Sequence, residues 1–133
     1  MNTHSENLRV ECAENCGNAP KKELLRDLSI AFAKLEVDFC MAWVTDDIVW
    51  EVIGDHIKRG KADFEKALNH MNNRKVQQLH IHNIITHGNA GSVNGILAFH
   101  DQQRFAFCDV YNFRGFGRNA KIKTITSYFI QIS

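Results

Sequence analysis

Phe105, Phe107, Tyr111 and Phe113 occupy alternate positions of the stretch Arg104–Phe113, and Asp109 falls in the same register. A period of two is the mark of a β-strand with one face against a core. A carboxylate on that aromatic face must find a partner, or take up a proton and become a hydrogen-bond donor. Either the strand twists and Asp109 reaches water or a backbone N–H, or the strand forms one wall of a pocket into which Asp109 points. The rest of the chain favours the pocket.

Residues 1–19 carry few large apolar side chains and no clear period, which predicts a mobile N-terminal tail ahead of a single domain spanning residues 20–133. Pro20 suits the first position of a helix. Behind it Leu24, Leu28, Ala31, Phe32 and Leu35 recur at helical spacing, the pattern of an amphipathic helix. A shorter helical piece carries Phe39, Met41, Ala42 and Trp43, and turn chemistry follows at Thr45, Asp46 and Asp47. Residues 48–54 are β-branched and aromatic and close on Gly54, which predicts a strand whose only charge is Glu51. Residues 55–60 read as a loop, and Ala62, Phe64, Ala67, Leu68 and Met71 as a third helix.

From Val76 onward the pattern is strand after strand: residues 76–87 and 92–100 about a Gly-Asn-Ala-Gly turn, then 104–113, then 121–132 after a glycine-bearing turn. Helix, short helix, strand, helix and four strands describe an α+β domain, a curved and mostly antiparallel sheet wrapped around three helices. Such a cone leaves a mouth that can hold a ligand.

The totals agree with one globular domain. At 133 residues and 44% hydrophobic content the chain can bury a sizeable core. A formal charge of +1 with no basic run argues against nucleic acid or an anionic membrane as partner. The first twenty residues lack an apolar secretory segment, so a cytoplasmic setting is expected. In that setting Cys12, Cys16, Cys40 and Cys108 are expected as reduced thiols, the last two as small buried hydrophobes.

The element order and three segments resemble the nuclear transport factor 2-like superfamily, which includes the SnoaL-like polyketide cyclases and the ketosteroid isomerases. The resemblance covers residues from about 21 to 132. Asp46-Asp47 followed by a strand with Glu51-x-x-Gly54 resembles the isomerase segment that carries the general base, with Glu51 at the base position after a one-residue deletion. Asp109-Val110-Tyr111-Asn112-Phe113 resembles the strand bearing a protonated oxyanion-hole aspartic acid, with Asp109 at that position. The segment at residues 121–129 resembles the last strand and puts Phe129 at a pocket-lining aromatic position. The isomerase tyrosine of the first helix is replaced by Leu28, and that helix holds no tyrosine, which argues against steroid isomerisation itself.

The resemblance implies an enzyme of the isomerase, cyclase or dehydratase type, with no cofactor and no metal, acting on a small apolar carbonyl compound. Glu51 would move a proton, Asp109 would donate to the developing oxyanion, and Phe107, Tyr111 and Phe129 would line the pocket. The alternative is a non-catalytic ligand-binding or regulatory domain of the same fold. His80-Ile81-His82 is a strand His-x-His able in principle to chelate a metal, but no carboxylate lies nearby in sequence to complete a site. Its other reading is the outer sheet face. With Trp50 and Ile84 it would form a homodimer interface there, as superfamily members commonly do.

Overall fold

The computed structural model describes residues 8–12, 19–71 and 75–133. In chain order the elements are β1 (Arg9–Cys12), α1 (Pro20–Lys34), α2 (Val37–Ala42), β2 (Val44–Val52), β3 (His56–Arg59), α3 (Lys61–His70), β4 (Val76–His87), β5 (Ala90–Phe99), β6 (Arg104–Phe113) and β7 (Ile122–Gln131). The strands form one sheet in the order β1-β4-β5-β6-β7-β2-β3. The β1–β4 and β2–β7 pairs are parallel and the others antiparallel. This is the expected α+β architecture with three helices. Among the described residues no helix is long and apolar enough to cross a membrane.

Helix α1 starts on Pro20, where the missing N–H costs nothing, after an extended Ala19. It stops at Leu35, whose left-handed φ of 59° turns the chain while the N–H groups of Leu35 and Glu36 reach back to the carbonyls of Phe32 and Ala31. Leu24, Leu25, Leu28 and Ala31 form its buried stripe, which lies against β4 and β5. Helix α3 buries Phe64 and Leu68 against β2 and β3, and α2 sits between the other two helices. The sheet bends around them. Register shifts in β4 between Val76 and Gln78 and between Ile81 and Asn83 supply part of the bend. Gly95 lies opposite Ile81, where an added Cβ would run into the His80 carbonyl.

Four expectations are corrected. The predicted tail contains a strand, because Arg9–Cys12 pairs in parallel with Gln78–Ile81 of β4 and Leu8 packs on the core. The rest of that tail, residues 1–7 and 13–18, lies outside the described residues. Cys12 is disulfide-bonded, against the expected reduced thiol, while Cys40 and Cys108 are free. Residues 45–47 are not a turn but the first half of β2, where a register shift between Val44 and Val49 absorbs the polar Thr-Asp-Asp run. The Thr45 hydroxyl and Arg114 both donate to Asp47 there, and this holds its carboxyl below the ordinary range. The loop expected at 55–60 holds the short strand β3.

Candidate functional site

The helices cover only part of the concave face, and a cavity of about 560 Å³ remains between the C-terminal half of α1, the end of α3 and the sheet. Its wall is mainly apolar. Phe32, Leu35, Leu79, Leu97, Phe105 and Phe107 belong to it. That volume suits a small organic molecule.

Asp109 lines this cavity from the middle of β6. Its neighbour across the ladder is Ser127 of β7, whose hydroxyl donates to Asp109 Oδ1 at 2.5 Å. Ser127 in turn accepts the indole N–H of Trp50 at 3.0 Å. An indole N–H can only donate, so Ser127 accepts from Trp50, and toward an ionised Asp109 it turns its own proton to Oδ1. Oδ1 is then the acceptor, and Oδ2 is the second oxygen of the carboxyl. That oxygen makes no hydrogen bond among the described residues and is free for a ligand. Burial pushes the Asp109 carboxyl from its ordinary 3.8 up to about 6, with the Ser127 hydrogen bond pulling the other way. A carboxyl poised there can give or take a proton near neutral pH.

Tyr111 stands two residues further along the same face, fully buried, with no hydrogen bond to its hydroxyl among the described residues. Ser29 is the polar group beside it and favours its ionisation, while the Ser29 hydroxyl donates to the Leu25 carbonyl at 2.8 Å. Burial, followed by the nearby Asp109 charge, keeps the phenol well above its ordinary value of 10, so it is a neutral donor. At the opposite side His56 and Asp55 also line the cavity. Cys40 is buried outside it, its thiol pushed up to about 12 chiefly by desolvation, which leaves it chemically quiet.

The structure brings Asp109, Phe107, Tyr111 and Phe129 together around the cavity. It does not bring Glu51. Glu51 sits between Thr126 and Ile57 on the other face of β2, while its neighbours Trp50 and Val52 point inward. Trp50, expected on the outer sheet face, is instead packed in the core at 6% exposed and hydrogen-bonded to Ser127. Ile84, expected on the outer face, is in the core. His80 and His82 lie outside the cavity with their rings 4.7 Å apart, and Glu11 of β1 reaches His80 at 3.6 Å. Among the described residues no cluster of three or more such groups is placed to hold a metal. Sequence reasoning missed Ser127 and His56, and alternation around Ile125 and Phe129 was the available signal for Ser127.

No family model matches this chain, and no curated protein does. Solved structures do. A protein of unknown function from Cytophaga hutchinsonii is 25% identical, with TM-score 0.62 over 81% of this chain and 97% of that one. A second, from Burkholderia xenovorans, is 18% identical with TM-score 0.71 over 86% and 85%. An epoxide hydrolase of the LEH-like type from M. tuberculosis is 22% identical with TM-score 0.67 over 81% and 76%. Ketosteroid isomerase-like and polyketide cyclase-like proteins are also among the neighbours. The first two carry the same fold description, and its topology is the one described above: the chain has the nuclear transport factor 2-like fold.

Proposed function

We propose that this protein is an acid–base enzyme of the isomerase, cyclase or dehydratase type, acting on a small apolar carbonyl compound. The observation that carries this reading is the Asp109 carboxyl, which lines an apolar cavity and is hydrogen-bonded by Ser127, itself bonded by Trp50. Protonated, Asp109 hands a proton to a carbonyl oxygen as charge develops; ionised, it accepts one from carbon or oxygen. Phe107, Tyr111 and Phe129 give the substrate its apolar surroundings. Solved neighbours named as cyclase-like, isomerase-like and epoxide hydrolase proteins support the choice of reaction class. The test is exchange of α-hydrogens in D2O across a panel of apolar cyclic ketones, followed by NMR. Protein-dependent exchange that falls at least about a hundredfold in Asp109→Asn is expected. Exchange equal in both proteins removes Asp109 from the chemistry.

A second reading, a non-catalytic ligand-binding domain, is favoured by the position of Glu51, since the cavity lacks the second carboxylate of the isomerase pattern. It predicts a small molecule retained on the native protein and no exchange with any member of the panel. For either reading, we propose that two copies associate through the outer sheet face.

A further inference from the structure

The cavity has a polar group at each side and little polarity between. Across the concave face the ladders align His56 of β3 with Val52 of β2, Val52 with Ser127 of β7, and Ser127 with Asp109 of β6. All four line the cavity. Three strand spacings separate the ends of this row, about 14 Å on a flat sheet, and the side chains of a concave face converge from there. Trp50 lies between the ends. Its ring meets the His56 ring edge-on at 5.9 Å, and its N–H runs to Ser127 and so to Asp109.

His56 is arranged as an acceptor. Its Nδ1 lies 3.1 Å from Asp55 Oδ2, and beside a carboxylate the neutral imidazole favours the proton on Nδ1, which leaves the lone pair on Nε2. Nε2 is buried and has no hydrogen-bond partner among the described residues. A buried acceptor left unpaired is costly, and a ligand donor would remove that cost. Asp55 reaches water, which lets it fix the ring without being desolvated itself.

We propose that Asp55 and His56 form a second recognition pole of this cavity, at which His56 Nε2 accepts a hydrogen bond from the end of the ligand remote from Asp109. This rests on the reading of Asp109 as the reacting group. It narrows the ligand class to a flat or ring-shaped apolar compound with an oxygen at one end and an O–H or N–H donor at the other. His56 selects for that donor, and Asp55 positions His56 by holding its tautomer.

The test compares two probes on the full chain, 2-naphthol with one hydroxyl and 2,6-dihydroxynaphthalene with hydroxyls at both ends. Wild type is expected to bind the diol about tenfold more tightly, the worth of one good hydrogen bond to a buried acceptor. His56→Phe keeps a ring against Trp50 and should erase the preference. Asp55→Asn, a change at an exposed position, should reduce it and shift the His56 nitrogen NMR resonances toward the other tautomer. A preference that survives His56→Phe overturns the proposal, as does equal affinity for the two probes in wild type or binding of neither. Asp109→Asn separates this from the reading beneath it, since loss at the Asp109 pole weakens both probes together. A diol preference that depends on His56, with Asp109→Asn binding both probes as wild type does, would leave this pole standing and remove the other.

Discussion

Asp109 ties the pH dependence of stability to the cavity. Its carboxyl is raised from 3.8 to about 6 by burial, so the folded protein prefers it neutral. The contribution is fully present below the unfolded value and is lost as pH rises through about 4 to 6; two units correspond to about 3 kcal/mol. Asp109→Asn removes the titration and keeps an acceptor for Ser127. It should therefore gain stability relative to wild type between pH 4 and pH 8, by up to about 3 kcal/mol in urea unfolding. Parallel stability–pH curves for the two proteins would show that the group is not perturbed. Ser127→Ala acts on the same chain from its middle. It takes away the hydrogen bond that favours ionised Asp109 and leaves the Trp50 N–H unpaired. Carboxyl-detected NMR should show Asp109 titrating still higher, and the fold should lose about 1–3 kcal/mol. An Asp109 titration unchanged by Ser127→Ala would mean that the relay does not set its charge.

Among the elements, the bend between β4 and β5 depends on a residue with no side chain. At Gly95 a Cβ would meet the backbone of His80, which cannot swing aside as a flexible side chain can. Gly95→Ala should cost about 3 kcal/mol or more in thermal or urea unfolding, and a neutral substitution would show that β4 yields more easily than its register implies. Strand β1 makes the opposite case. It is exposed along its length, yet it covers the edge of β4 and brings Leu8 onto the core. Removing residues 1–12 should lower Tm by roughly 4 °C for each kcal/mol lost and leave β4 as a bare edge open to association. These two elements also mark where the sequence could and could not be read. β6 was legible because one of its faces is aromatic at every position but Asp109. β2 was not, because Val49 and Ile53 make the Glu51 face nearly as apolar as that of Ile48, Trp50 and Val52, so period alone could not fix the phase. A one-residue error in phase exchanges Glu51 for Trp50. β1 and β3 are four residues each, too short to show a period, and β1 is held by pairing with residues some seventy positions away. The Cys12 disulfide was missed because compartment, rather than spacing, was used to judge the cysteines.

For the whole molecule, the question is what covers the convex face of the sheet. Alternation places the partners of the cavity-lining residues outward. The ladders then line up Ile96, Ala106 and Ile130 in one row across β5, β6 and β7, with Cys108 and Tyr128 in the next and Val110 and Thr126 beyond. Ile130 is 67% exposed and Tyr128 45% exposed, which is costly for a lone copy in water. Ile96, Ala106, Ile130, Cys108 and Tyr128 carry no charge, and Glu51 follows Thr126 only at the β2 side, so the centre of this face on a second copy is a matching surface, and a two-fold axis would lay each row against its counterpart. The expected solution state is a dimer in sedimentation at micromolar concentration. Tyr128→Lys with Ile130→Lys puts two like charges per copy into the centre of that contact and should yield monomers. Because both side chains point away from the cavity, Asp109 should titrate in the monomeric variant as it does in wild type. A wild-type protein that sediments as a monomer at these concentrations would leave the convex face exposed in solution and end the dimer proposal. A variant that dissociates and also changes the Asp109 titration would instead show that the two faces of β6 and β7 are coupled through the sheet.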